Sequence, residues 1–335
     1  MLLSRFSLAT MLLLHPCSML LGNDGAAEIA LGGIRLKQER RVALVKERLF
    51  ISKKKVRVEY EFVNESDSEV ATEIAFPIPD YHLDLGNGWS PIEDFKVWVN
   101  GVDYPYQTEA RALVGGKEVT SLLNETGVHI ASFGDFKEGS YTSNTPSQSQ
   151  MDSLPKQALD RLTASGALEW ADPINKFLPD WTVKKTYHWT QKFPPKAVVR
   201  IAHEYTPIWG HSAALTLETI RKPLKGWHNE SANPGCPDAG FVKSFMRTVT
   251  ADHKRNPDGL YANQDSLPAL WVSYILTTAN TWKTPIRDFE LLVERSPGEL
   301  VTFCWDGPIE RLGADTFRAR VKDFIPSKEL TVYFF

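Results

Sequence analysis

Between residues 34 and 76 apolar and polar side chains alternate with a period of two, the pattern of half-buried β-strands. Val56, Val58, Tyr60 and Phe62 point one way, and Arg57, Glu59 and Glu61 point the other. The polar run Asn64-Glu65-Ser66-Asp67-Ser68 is a turn by composition. Strand character resumes at Val70 and stops at Phe76-Pro77-Ile78-Pro79-Asp80, where proline removes ladder donors. Phe95-Lys96-Val97-Trp98-Val99 then runs into Asn100-Gly101, a dipeptide suited to the positive φ angles of a tight hairpin. Such a meander predicts a β-sandwich.

Further along, residues 108–125 read as helical with a break at Gly115-Gly116. Residues 139–153 are rich in Ser, Thr and Gln and read as a linker or mobile loop. An amphipathic helix is expected after Pro155, with Ala158, Leu159 and Leu162 on one face. Strand patterning returns at Trp181 and again over 197–205. Between Cys236 and Arg255 a helix is expected, with Pro237 in its first turn and Phe241, Phe245 and Val249 as an apolar stripe. From Leu270 onward the chain reads as strand after strand. Residues 91–99 and 285–293 echo each other at five of nine positions, each preceded by a Trp (Trp89, Trp282), which favours two domains of related plan. The expectation is therefore a mainly β chain of two Ig-like β-sandwich domains, 23–150 and 151–335, with a few short helices, the second domain carrying inserted helices.

The N-terminus reads as an address. Arg5 precedes an apolar run from Phe6 to Leu14, too short for a lasting span, and the chain turns polar at Asn23-Asp24-Gly25. Residues 1–22 are expected to be a secretory signal cut before Asn23, the alternative being an uncleaved anchor. No later stretch reaches the ~18 apolar residues of a spanning helix, so an integral membrane protein is not expected after signal removal. Loss of Cys17 with the signal leaves Cys236 and Cys304, an even pair in an oxidising compartment, and a disulfide is the leading reading. The competing role for Cys304, a nucleophile, lacks a His at a recognisable spacing.

With 335 residues and 42% hydrophobic content the chain can bury a large core. A net charge of −3 argues against nucleic acid as partner. No phosphate loop, nucleophile elbow or His-Glu-x-x-His helix occurs, so no cofactor is expected. Asp80, His82 and Asp84 would share one face of an extended segment and could ligate a divalent ion, against the plainer reading of a solvated turn. Eight of ten tryptophans lie between Trp170 and Trp305, and Trp209 and Trp227, flanked by Pro and Gly, are the surface candidates for stacking on a ligand. Trp271 and Trp305 are expected in the core. Residues 35–57 hold ten basic and two acidic side chains, either a solvated sheet face or a contact for an anionic surface. His188 and His203 fall in strand-like sequence, where an ion pair or an edge position is expected.

The opening Asn23-Asp24-Gly25, the Tyr60-Glu61-Phe62-Val63-Asn64 strand and the Phe76-Pro77-Ile78-Pro79-Asp80 stop resemble a bacterial exported family, domain of unknown function family 4424. Tyr274 to Trp282, Pro285-Ile286-Arg287-Asp288-Phe289 and Phe303-Cys304 fit its closing signature, with Ala279 standing where Gly is expected. The resemblance implies an exported, mostly β protein with no assigned activity. Phe-Pro-Ile-Pro followed by a strand ending in Val99-Asn100-Gly101 is also similar to inter-α-trypsin-inhibitor-type modules, which implies interaction rather than catalysis. The expected role is a non-catalytic binding or assembly factor of the cell envelope, periplasmic or secreted, with an envelope protein or glycan as partner. The alternatives are a hydrolase or transferase acting on envelope glycans, or a carbohydrate- or metal-binding module.

Overall fold

The structure is a computed structural model that describes residues 24–30, 33–83, 90, 92–130, 151, 153–172, 175–222, 234–262 and 264–335. The expected signal, the loop over 139–150, Asp84 and Trp227 lie outside the described residues.

The alternation at Val56–Asn64 places that strand inside an eight-stranded sheet, where its even-numbered residues are buried and its odd-numbered ones are half-buried or exposed. The sheet runs Glu310–Leu312, Thr316–Phe324, Ile286–Glu294, Val42–Ile51, Val56–Asn64, Val198–Pro207, Ile92–Val99 and Val102–Asp103. Within it, Ile286–Glu294 and Val42–Ile51 pair in parallel. A seven-stranded sheet is built around Trp181–Phe193, which pairs with Gln107–Val114 on one side and with Val70–Pro77 and, further back along the strand, Tyr81–Leu83 on the other. Gly25–Ala30 and Gly33–Leu36 extend it beyond Val70–Pro77. Ring contacts stitch the two sheets face to face: Phe62 to Phe193 at 5.7 Å, Phe95 to Tyr187 at 4.3 Å and Phe76 to Phe95 at 5.1 Å between centroids.

A four-stranded sheet of Gly210–Thr216, Ser266–Tyr274, Leu330–Phe334 and Val301–Thr302 completes the fold. It is buried on both faces. Val272, Tyr274, Val332 and Phe334 join the main core, while Leu267, Ala269, Trp271 and Tyr333 form a second core with Phe245 and Val249 of the helix Ala239–Arg255. The Cys236–Cys304 disulfide, expected from the cysteine count, fixes the approach to that helix, and Asp238 caps it by accepting from the Phe241 N–H at 2.6 Å. Pro237 therefore precedes the cap instead of sitting in the first turn. The helix Lys156–Ala164 follows Pro155 as the sequence predicts, with Ala158 and Leu162 buried.

Two expectations are corrected. Strands on either side of residue 150 interleave: Trp181–Phe193 pairs with Val70–Pro77, and Val198–Pro207 pairs with Val56–Asn64 and Ile92–Val99. One buried cluster runs from Ala26 to Phe334, so 150/151 does not divide two sandwiches. The echoing segments are both strands of the same eight-stranded sheet, Ile92–Val99 and Ile286–Glu294. Residues 108–125 are not a helix either. Gln107–Val114 is a strand, Gly115 and Gly116 form its hairpin turn at φ 53° and 82°, and helix is confined to Thr120–Glu125. The helix formers Glu109, Ala110, Arg111 and Ala112 are overruled by pairing with Trp181–Phe193. The Asn100-Gly101 turn is as expected, at φ 51° and 81°.

Candidate functional site

Trp181–Phe193 sends its odd-numbered side chains into the sandwich, and His188 is one of the even-numbered set on the outer face. Its Nδ1 lies 2.6 Å from Glu73 Oε1, on the neighbouring strand. The other carboxylate oxygen, Oε2, accepts from the Thr190 hydroxyl at 2.9 Å. A carboxylate only accepts, so Nδ1 is the donor in this contact, and Nε2 takes no part in it. Where an ion pair or an edge position is expected, His188 has a carboxylate partner.

Beside it runs a groove of about 240 Å³ lined by Tyr104, Pro105, Tyr106, Gln107, His188, Trp189 and Thr190. Tyr104 donates its hydroxyl to the Thr190 carbonyl at 3.1 Å, and Tyr106 donates to the Phe95 carbonyl at 2.9 Å. Tyr106 is 37% exposed and is held edge-on against Phe95 and Tyr187, at 5.2 and 5.3 Å. Burial raises its phenol above the ordinary value of 10.0, so it stays neutral. The groove thus offers fixed aromatic rings, the Gln107 amide and an imidazole. Its volume is below the ~300 Å³ at which drug-sized pockets begin, and suits one sugar ring or one side chain.

A second histidine faces a carboxylate where no ligand can reach. His203 Nε2 and Asp24 Oδ1 are 3.0 Å apart with neither side chain exposed. The imidazole is ringed by Tyr60, Phe76 and Phe95 at 5.3, 4.7 and 5.5 Å. Burial pushes the Asp24 carboxyl up, with His203 opposing it. Burial likewise lifts the phenols of Tyr60 and Tyr274, whose hydroxyls meet at 3.3 Å. The Trp282 indole N–H donates to the Asp24 carbonyl at 2.9 Å.

The other sequence candidates stand apart from the groove. Asp80 pairs with Lys184 at 2.9 Å, and His82 lies between Asp180 at 3.0 Å and the Thr182 hydroxyl at 3.2 Å. Among the described residues no group of three His, Cys, Asp or Glu side chains is placed to hold a metal ion. Trp209 is on the surface, 41% exposed, and its indole donates to the Lys53 carbonyl at 2.6 Å. Trp271 is buried, and Trp305 is half-buried on Phe289 and Phe324. A larger hollow of about 510 Å³ lies between the helices Thr120–Glu125 and Lys156–Ala164, but its Arg161 and Glu125 pair with each other at 2.7 Å. Sequence reasoning missed the groove; its signal was Tyr104-Pro105-Tyr106, just after a tight hairpin turn.

Fold and site define a mainly β protein of several sheets with one disulfide, in which no described helix is long and apolar enough to cross a membrane. The chain belongs to the family described as domain of unknown function (DUF4424), whose model matches residues 22–333. No curated protein matches it. Among solved structures it is similar to a candidate nutrient binding protein from Legionella pneumophila, at 14% identity and TM-score 0.37, covering 89% of this chain and 68% of that one. It is also similar to yeast LTA4 hydrolase, at 10% identity and TM-score 0.27, covering 88% of this chain and 29% of the hydrolase. A two-domain M1 zinc metallopeptidase bound to L-tryptophan gives 9% identity and TM-score 0.26, over 89% of this chain and 44% of the peptidase.

Proposed function

We propose that this is an exported, non-catalytic binding factor of the cell envelope whose groove takes a short glycan segment. The groove itself carries the reading: Tyr104 and Tyr106 supply aromatic surface for the C–H face of a sugar, and Gln107 and His188 Nε2 supply partners for its hydroxyls. Both tyrosines are locked by their own hydrogen bonds, so little side-chain freedom is lost on binding. The disulfide and the apolar run after Arg5 support an oxidising, extracytoplasmic compartment, periplasmic or secreted. The Phe76-Pro77-Ile78-Pro79 segment and the strand from Phe95 into Asn100-Gly101 are in keeping with an interaction module of the inter-α-trypsin-inhibitor type, which fits a binding role.

The test is calorimetric titration of the protein with soluble fragments of envelope glycan. Saturable binding is expected, weakened roughly five- to thirtyfold by Tyr106→Ala, which removes one stacking face worth about 1–2 kcal/mol. Absence of saturable binding to any fragment would overturn the proposal. Release of shortened or transferred glycan, followed by mass spectrometry, would replace it with the hydrolase or transferase reading.

A further inference from the structure

Five of the ten basic side chains over 35–57 are paired with carboxylates within the molecule. Arg41 pairs with Glu39 at 2.7 Å and Arg48 with Glu290 at 3.0 Å. Lys53 pairs with Glu299, while Lys55 and Arg57 share Glu204 at 3.4 and 3.3 Å. Cations already committed to carboxylates leave little field for an outside anion.

The helix Ala239–Arg255 is arranged differently. Its buried side is Phe245 and Val249, seated on the four-stranded sheet. At about 100° per residue, Lys243, Arg247 and Lys254 project within about 20° of the direction opposite Phe245. All three are exposed, and among the described residues none has an ion-pair partner. The helix holds one carboxylate beyond its cap, Asp252, which projects about 160° from this stripe. Arg255 adds a further exposed cation in the last turn.

The chain then exposes apolar surface at the same end. Leu260 is 87% exposed, the highest value for a large apolar side chain among the described residues, and Tyr261 is 39% exposed. The loop that carries them is tied back to the helix, because His253 Nε2 donates to the Gln264 carbonyl at 2.9 Å. The helix is itself fixed by its cap and by the nearby disulfide. A rigid cationic stripe ending in exposed Leu and Tyr is the composition of a bilayer-surface contact, in which headgroups take the charge and the interface takes the apolar tips.

We propose that the outward face of the helix Ala239–Arg255, with Leu260 and Tyr261 at its end, docks the protein on an anionic phospholipid bilayer. The contact is peripheral: the apolar insertion is two side chains deep, and the affinity comes chiefly from Lys243, Arg247 and Lys254. It is independent of the groove, which is carried by other elements, so either site can fail alone.

Co-sedimentation of the purified protein with vesicles decides it. Binding to equal parts phosphatidylglycerol and phosphatidylcholine should exceed binding to phosphatidylcholine alone, and should fall steeply between about 0.1 M and about 1 M salt. Each basic residue at an anionic surface contributes roughly fivefold, so K243Q/R247Q/K254Q should weaken partitioning on the order of 100-fold. Leu260→Ser should weaken it severalfold, and that loss should persist across the salt series. Because all four side chains are exposed, thermal midpoints should stay unchanged; if one drops, the salt series on the unaltered protein still decides. Equal binding to both vesicle types, or an unaffected triple variant, would overturn the proposal. Salt-sensitive binding indifferent to Leu260→Ser would overturn the bilayer too, and leave a soluble polyanion as occupant.

Discussion

The sandwich holds two histidine–carboxylate pairs on strands that follow each other in the chain, and they differ in nearly everything except chemistry. His203 on Val198–Pro207 belongs to the odd-numbered set that faces the core, with Val199, Ile201 and Tyr205, and meets Asp24 at 3.0 Å without exposure. His188 on Trp181–Phe193 belongs to the even-numbered set that faces outward, and meets Glu73 at 2.6 Å on the rim of a groove. Parity along a strand decides which pair is sealed and which is offered. In the sealed pair, loss of hydration outweighs the attraction of the imidazole and drives the Asp24 carboxyl upward. In the offered pair, Thr190 satisfies the second carboxylate oxygen and the imidazole keeps one nitrogen for a ligand. The same two side-chain types therefore act as a core element in one place and as a recognition element in the other.

The sharpest way to break this comparison is His203→Ala. It removes an imidazole from a shell of Tyr60, Phe76 and Phe95 and takes away the ring that faces Asp24 Oδ1 at 3.0 Å. A cavity plus the loss of that buried contact should destabilise by about 3–5 kcal/mol, read from urea unfolding. The double change with Asp24→Ala should cost less than the sum of the single changes, because either change removes the same contact. A loss under ~1 kcal/mol would mean that water reaches the pair.

A smaller effect is expected in the pH dependence. Burial raises the Asp24 carboxyl above its ordinary 3.8, so the native state holds that proton more tightly than the unfolded chain does. The stability this confers is complete below the ordinary value and is lost as pH rises through the raised one. Unfolding free energies of the unaltered protein and of Asp24→Asn, measured from pH 3 upward, should show the unaltered protein losing ground as pH rises. A gain instead would show that the attraction to His203 outweighs desolvation.

How much of this is legible in the sequence follows from the same parity rule. The strands at Val56–Asn64 and Trp181–Phe193, the helix stripe Phe245–Val249 and the Cys236–Cys304 bridge are local signals, and each is present where the sequence puts it. Gln107–Val114 misleads because its residues favour helix and its strand state comes from a partner some seventy residues away, as in Ala112 opposite Val183. The division into two sandwiches fails for a related reason. The echo between 91–99 and 285–293 is a repeat within one sheet, and no sequence window shows that Ile286–Glu294 docks in parallel on Val42–Ile51. His188 reads as paired from its strand context, but Glu73, the tyrosines that frame it and the enclosure of Asp24 are facts of register between distant strands.

The finest test bears on the offered pair. Glu73→Gln keeps the shape of the side chain and removes its charge. Two donors, the His188 Nδ1–H and the Thr190 hydroxyl, would then face an amide that has one oxygen and one NH₂ group. One of them must give way. If the imidazole does, the ring changes tautomer, and Nε2 presents a different hydrogen-bonding character to the groove. The pair lies at the surface of the sheet with 8% and 9% side-chain exposure, so relaxation and water limit the stability cost to about 1 kcal/mol, well under that of His203→Ala. Ligand binding should respond more strongly than stability, with the imidazole ¹⁵N shifts reporting the change of tautomer. A stability loss equal to that of His203→Ala would place Glu73 with the core pair and erase the distinction between the two sites. Unchanged stability with unchanged binding would detach His188 from the groove.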